Sequence, residues 1–230
     1  GLGDTIRVSL TEDPEFESPV AIALADRYKV RTPHKQIIPV ENCPINPVVY
    51  NRRETIEVES IGGSNVPVVV ADYSKSGVSD YKDLEIVGYF YAPSTDKWNM
   101  NDTACDIIYL GKNDVPFDLP NGLKPVYDYL HWNSFDNKEK GFPLFTIDEF
   151  ISAEDKSEKL NIVKLSIDKA STENLNLIKE DKTAVVILET ENEHGLAEQR
   201  RLFFELISQG VKNPVIIKRD YKNISDEDYR

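Results

Sequence analysis

Sulfur is scarce in this sequence: 230 residues include two cysteines and one methionine. Cys43 and Cys105 lie far apart and form no CxxC pair, so neither a metal knuckle nor a local redox pair is indicated; both read as free thiols packed as small hydrophobes. No apolar run approaches the length a membrane span needs. The opening residues have no basic start followed by an apolar stretch, so a signal peptide is not expected and a cytoplasmic setting is. Positive charge is also in deficit. Against 40 acidic side chains stand 27 basic ones, a formal charge of −13, whose field repels phosphate backbones and anionic lipid; neither nucleic acid nor a membrane is expected as a partner.

What remains is the composition of a soluble globular protein, 40% hydrophobic and 29% charged, long enough to bury roughly 70–75% of its unfolded surface. That size suits one large domain, or one domain with a piece of another. The chain opens without methionine and has its sole methionine at Met100, which reads as an internal fragment of a longer protein.

Asp4–Leu10 reads as a strand. Thr11–Glu17 then supplies a polar cap, a proline suited to an early helical position and acidic residues that favour a helix N-terminus. Val20, Ala23, Leu24 and Tyr28 follow along one helical face. From Arg31 to about Arg53, Pro33, Pro39, Pro44 and Pro47 break any periodicity, so residues 31–54 are expected as a linker between a first domain, 1–30, and a second, 55–230. Beyond the linker, apolar β-branched runs recur at 66–71, 85–90, 106–110, 125–128, 143–146, 161–167, 184–188 and 214–217. Several are apolar nearly throughout, as strands of a parallel sheet covered on both faces should be. The best-marked βαβ unit is the last, where strand 184–188 precedes Leu196, Phe203, Phe204, Leu206 and Ile207 at helical spacing, Gly210 ends the helix and Pro214 opens the next strand. The expected fold is α/β with a mostly parallel sheet, barrel-like or doubly wound. Connections 91–104 and 130–141 are expected to be irregular or short-helical.

On a strand, Arg7 and Ser9 would share a face. A permanently charged fork beside a rotatable hydroxyl suits a phosphate, although such a pair on an exposed strand more often just faces water. The run Gly1-Leu2-Gly3-Asp4-Thr5-Ile6-Arg7-Val8-Ser9-Leu10-Thr11, followed by an acidic, proline-containing stretch and a Val-Ala helix, resembles the last strand and helix of the catalytic barrel in the IspG/GcpE synthase family. Asn51-Arg52-Arg53-Glu54-Thr55 and Val66–Asp72 resemble the extra central domain of the long, three-domain form. The resemblance implies a TIM-barrel-like (βα) fold, incomplete in this chain. It implies substrate-binding roles for Arg7 and Ser9 on the diphosphate of 2-C-methyl-D-erythritol 2,4-cyclodiphosphate, and a [4Fe–4S] cluster fed by ferredoxin or flavodoxin. Homodimerisation of the whole protein is a further expectation. Neither cysteine here matches the family's cluster motif, and the catalytic glutamate has no counterpart, so no catalytic or metal-ligating residue is expected in the chain and residues 55–230 are expected to be a spacer domain without turnover of its own.

Glu189, Glu191, Glu193 and His194 follow strand 184–188, where parallel-sheet proteins build their sites, and Glu191 with His194 is the candidate second cleft. Acidic residues there also simply complement a helix dipole, which is the favoured reading, since one imidazole is thin evidence for a metal. Asp72, Asp128 and Lys218-Arg219-Asp220 follow strands in the same manner and could line a charged cleft. Trp98 and His131-Trp132 read as core or seam residues. Two rivals to the spacer remain: an independent domain binding a small ligand or an electron-donor protein, and a free-standing α/β enzyme using the 189–194 segment.

Overall fold

The computed structural model describes residues 5–29, 40–46, 48–190 and 195–218. Contacts divide the chain into two compact units, Gly1–Ile38 and Pro39–Arg230.

In the first unit a 3-10 turn over Pro14–Phe16 runs into helix α1 (Glu17–Lys29). Pro14 stands at the first helical position, where its missing N–H is no loss. The helix expected from the sequence is present, but the strand expected over 4–10 is not: residues 5–10 are irregular. A strand needs a neighbour to receive its backbone N–H and C=O groups, and the described part of this unit supplies none. Val20 and Leu24, together with Phe16 and Ile22, are exposed.

The second unit begins with the antiparallel hairpin β1 (Glu57–Val58) and β2 (Ile61–Gly62). Then come β3 (Val70–Asp72), a second hairpin β4 (Tyr89–Ala92) and β5 (Lys97–Met100), β6 (Ile107–Gly111), β7 (Lys124–Asp128) and α2 (Tyr129–Asn133). The chain continues with β8 (Phe142–Thr146), α3 (Ile147–Ser152), β9 (Asn161–Leu165), α4 (Thr172–Glu180), β10 (Ala184–Leu188), α5 (Gly195–Ser208) and β11 (Val215–Ile217). Among the described residues seven strands form one sheet in the order β11-β10-β9-β8-β7-β6-β3, every pairing parallel. Spatial order follows chain order without reversal, which is the winding of a βα barrel and not of a doubly wound sheet. With seven strands the barrel is incomplete, and β3 and β11 are its edges.

The strands are apolar because both faces are covered. All five residues of β10 are buried. Outside the sheet, Ile108, Tyr127, Phe145, Val163 and Val186 pack with Trp132, Phe150, Leu175, Ile178, Leu202 and Leu206 of α2 to α5 in one continuous core. Each such fully buried large side chain contributes roughly 1.5–3 kcal/mol. Inside, Ile107, Val126, Leu144, Ile162, Val185 and Ile187 form a second core with Val58 and Ile61 of the first hairpin.

Local signals set the helix ends. Thr146 and Glu149 exchange capping bonds, Glu149 N to Thr146 Oγ1 at 3.2 Å and Thr146 N to Glu149 Oε2 at 2.7 Å, so α3 starts on the last residue of β8. At the end of α5, Gly210 takes φ +65°; its N–H donates to Ile207 O, and the next N–H, of Val211, reaches back to Leu206 O. This is the paired closure of a Schellman motif.

Two expected strands are corrected. Residues 85–90 are not a strand of the seven-stranded sheet: Tyr81–Val87 is a 3-10 helix, opened by reciprocal Asp80 and Asp83 capping and closed by left-handed Gly88, and Tyr89 and Phe90 begin the β4–β5 hairpin. Its apolar Ile86 is 88% exposed, so the apolar run never served a two-faced sheet. Run 66–71 contributes only its end to β3, after Pro67, which has no N–H for a ladder. The 91–104 connection, expected to be irregular, carries the β4–β5 hairpin, whereas 130–141 is short-helical as expected.

Candidate functional site

Inward and outward side chains alternate along each strand, and the inward ones decide what the barrel can hold. At the amino-terminal ends the β1–β2 hairpin closes the interior. Val58 and Ile61 enter the inner core, and the Lys124 ammonium at the start of β7 donates to Glu59 O. The carboxyl ends remain open. There a cavity of about 470 Å³ is floored by Val70, Ile107, Val126, Leu144, Ile162, Ile187 and Ile216. Its upper wall carries Asp72, Ser74, Lys75, Tyr109, Lys164 and Lys218.

The rim acids already have partners. Asp72 Oδ1 accepts from Ser74 N at 3.0 Å and from Ser74 Oγ at 2.6 Å. Tyr109 donates its hydroxyl to Asp128 Oδ1 at 2.6 Å, across adjacent strands. Burial first, and then this bond to a carboxylate, hold the Tyr109 phenol protonated well above the ordinary phenol range. Glu189 Oε1 accepts from Lys218 Nζ at 2.9 Å, tying the ends of β10 and β11. Gln199, buried on α5, donates its amide to Leu188 O at 3.1 Å and Lys218 O at 2.7 Å, and so sets the spacing of the same two strand ends. Lys164 differs from its neighbours. Half-buried, it lies with Nζ 5.6 Å from the centre of the Tyr109 ring and has no hydrogen bond or ion pair among the described residues.

The charged cleft inferred from residues that follow strands is therefore present in part: Asp72, Asp128 and Lys218 meet at one mouth, whereas Arg219 and Asp220 lie outside the described residues. Glu191 and His194 lie outside them as well. Arg7 and Ser9 are described and exposed, on irregular chain and not on the expected strand. Trp132 is 1% exposed and donates Nε1–H to Gly141 O at 2.9 Å, a core residue. Its neighbour His131 lies 3.1 Å from Asp114 Oδ1. Trp98 packs with Tyr81, Tyr91 and Phe117 on the β4–β5 side. Sequence reasoning missed Lys164, Tyr109 and Gln199. A charged residue two positions from Ile162 in an otherwise apolar strand was the available signal for Lys164.

The described residues do not fit an iron–sulfur cluster. Cys43 is an exposed free thiol that donates to Ile45 O at 3.2 Å, and Cys105 is buried with its thiol pushed up to about 11 by desolvation and by Asp106, far from the thiolate a cluster needs. Among the described residues no group of three or more His, Cys, Asp or Glu is placed to hold a metal ion, and no helix is long and apolar enough to cross a membrane.

A parallel sheet wound in chain order, coated by helices and charged at the carboxyl ends of its strands, defines an α/β-barrel protein. No family model and no solved structure matches the chain. Curated relatives do. A 4-hydroxy-3-methylbut-2-en-1-yl diphosphate synthase (flavodoxin) of Parabacteroides distasonis is 34% identical over 227 residues, covering 99% of this chain and 33% of the relative. The protein of the same name from Phocaeicola vulgatus is 31% identical over 228 residues, again 99% of this chain and 34% of the relative. One from Leptospira interrogans is 44% identical over 73 residues, 30% of this chain and 11% of the relative. Over nearly its whole length the chain is therefore similar to 4-hydroxy-3-methylbut-2-en-1-yl diphosphate synthases, and it spans about a third of the length of the first two relatives.

Proposed function

We propose that the chain works as part of a synthase that reductively converts 2-C-methyl-D-erythritol 2,4-cyclodiphosphate to 4-hydroxy-3-methylbut-2-enyl diphosphate in isoprenoid biosynthesis, in the bacterial cytoplasm. The observation that carries this reading is similarity over 99% of the chain to proteins of that name. In the reaction two electrons open the cyclic diphosphate and water is eliminated. The electrons come from flavodoxin, the donor that the relatives are named for, in preference to ferredoxin. A [4Fe–4S] cluster supplies the electron transfer when bound, on residues other than the described ones.

Within this scheme residues 1–30 belong to the catalytic barrel, and Arg7 and Ser9 help hold the substrate diphosphate. An exposed guanidinium and hydroxyl two residues apart have the donors for that task. Residues 31–54 link this part to the barrel-like unit over 55–230, which positions other parts of the protein and does no chemistry on the substrate. Arg7→Met in the whole protein should weaken substrate use about tenfold or more in kcat/KM, mostly through KM, with the thermal midpoint unchanged. Turnover of the cyclic diphosphate by residues 1–230 alone, independent of Arg7, would defeat the reading.

A further inference from the structure

We propose that the open mouth of the seven-stranded barrel is a binding site for a small aliphatic anion, with Lys164 taking the anionic head and the apolar floor taking the chain. The inference rests on the second unit alone and stands or falls separately from the synthase reading.

The cavity has the size of a small-molecule site, about 470 Å³, within the roughly 300–1,000 Å³ common for such sites. Its floor is built from Val, Leu and Ile side chains contributed by all seven strands, with Tyr109 the one ring in its wall. Such a surface suits a flexible aliphatic chain better than a flat aromatic one.

Charge selects the other end of the ligand. Counted by residue, the mouth looks balanced, three acids against three lysines. The bonds, however, leave Lys164 out. Asp72 and Asp128 keep their charge but accept from the neutral hydroxyls of Ser74 and Tyr109, and Glu189 pairs with Lys218, so none of the three carboxylates bonds Lys164. Lys164 lines the cavity two residues along the strand from Ile162, lies over the Tyr109 ring at 5.6 Å and has none of its three donors bonded among the described residues. A half-desolvated ammonium against an aliphatic floor is short of hydrogen-bond acceptors, and an anion entering the cavity would supply them. An ammonium is a point charge without the planar fork of arginine, so it accepts carboxylate and phosphate heads alike.

The test is isothermal titration of the full chain with hexanoate, hexyl phosphate and acetate. At least one of the two six-carbon anions should bind saturably at one site per chain, about tenfold or more tighter than acetate, because only they cover the floor. Lys164→Met should weaken that binding about tenfold or more while keeping the far-ultraviolet circular dichroism, and Lys164→Arg should retain it within a few-fold. Amide shifts on titration, read by NMR in the unsubstituted chain, should concentrate at Tyr109, Leu144, Ile162 and Ile187, which keeps the test decisive if Lys164→Met does not fold. The proposal is overturned by failure of both six-carbon anions to saturate at millimolar concentration, by acetate binding as tightly, by undiminished binding to folded Lys164→Met, or by shifts elsewhere.

Discussion

Gln199→Met asks how much of the mouth depends on one buried amide. Methionine nearly matches glutamine in length and keeps the α5 packing, so the change isolates the two hydrogen bonds to Leu188 O and Lys218 O. Gln199 is 3% exposed, and water does not readily replace its donors. Leu188 O keeps a second, longer donor, Lys218 N at 3.4 Å, and the bond to Lys218 O is the shorter of the two lost, at 2.7 Å. At about 1 kcal/mol per neutral hydrogen bond, the loss of the two should be about 2 kcal/mol. For a unit of this size that lowers the thermal midpoint by about 4–8 °C. Urea unfolding followed by tryptophan fluorescence measures the loss, with Gln199→Glu as a second variant that keeps the length and one face of the polar group. Local weakening should also raise amide exchange at the ends of β10 and β11 ahead of β6 to β8. A loss below about 0.5 kcal/mol, within the usual range for a surface substitution, would refute the argument that this amide holds the two strand ends.

Two further outcomes follow from the backbone and from the phenols. The β1–β2 turn places Glu59 at φ 47° and Ser60 at φ 70°, a left-handed pair usually met by Asn-Gly. Ser60→Gly should therefore raise stability by about 0.5–1 kcal/mol in urea unfolding, the relief of left-handed strain being partly offset by the greater freedom of glycine when unfolded; a decrease would contradict the strain. Burial pushes the Tyr127 phenol up to about 12, while an unfolded tyrosine loses its proton near 10. The folded state thus holds protons that the unfolded state has released, and the stability present below pH 10 is lost as pH rises from about 10 to 12. The urea midpoint should fall across that window, and less steeply in Tyr127→Phe; equal slopes would contradict the assignment.

The parts of the fold that could be read in the sequence were those where one physical requirement dominates. Strands β6 to β10 are covered on both sides, so their residues are apolar almost throughout and stand out as runs. The β10–α5–β11 unit was readable to within a residue or two, because Gly210 and Pro214 mark its turn points. Runs with no such double constraint misled. Residues 85–90 are as apolar as a strand, yet 85–87 close a 3-10 helix and only Tyr89 and Phe90 enter a strand, that of the separate β4–β5 hairpin, a choice made by the Asp80–Asp83 capping pair and by left-handed Gly88. The Glu59-Ser60 turn carries no glycine, asparagine or aspartate at its two left-handed positions, so the hairpin that closes the barrel base was not read from the sequence.

The mouth was half legible for a similar reason. Asp72, Asp128 and Lys218 come just at or after strand ends, where charge is conspicuous. Lys164 and Tyr109 sit within strands, and only the alternation of inward and outward positions in the folded sheet shows that they share a wall. The expectation for Arg7 and Ser9 rested on family resemblance and on a strand that the described residues do not form, so their role is a matter for substitution.

The most direct test of the family-based account is iron and acid-labile sulfide content, together with reductive turnover of the cyclic diphosphate, on the whole protein purified without oxygen. The account predicts both a cluster and turnover sustained by reduced flavodoxin. A protein without cluster iron and without turnover would contradict it, and would leave the barrel of residues 39–230 to be explained by its own mouth.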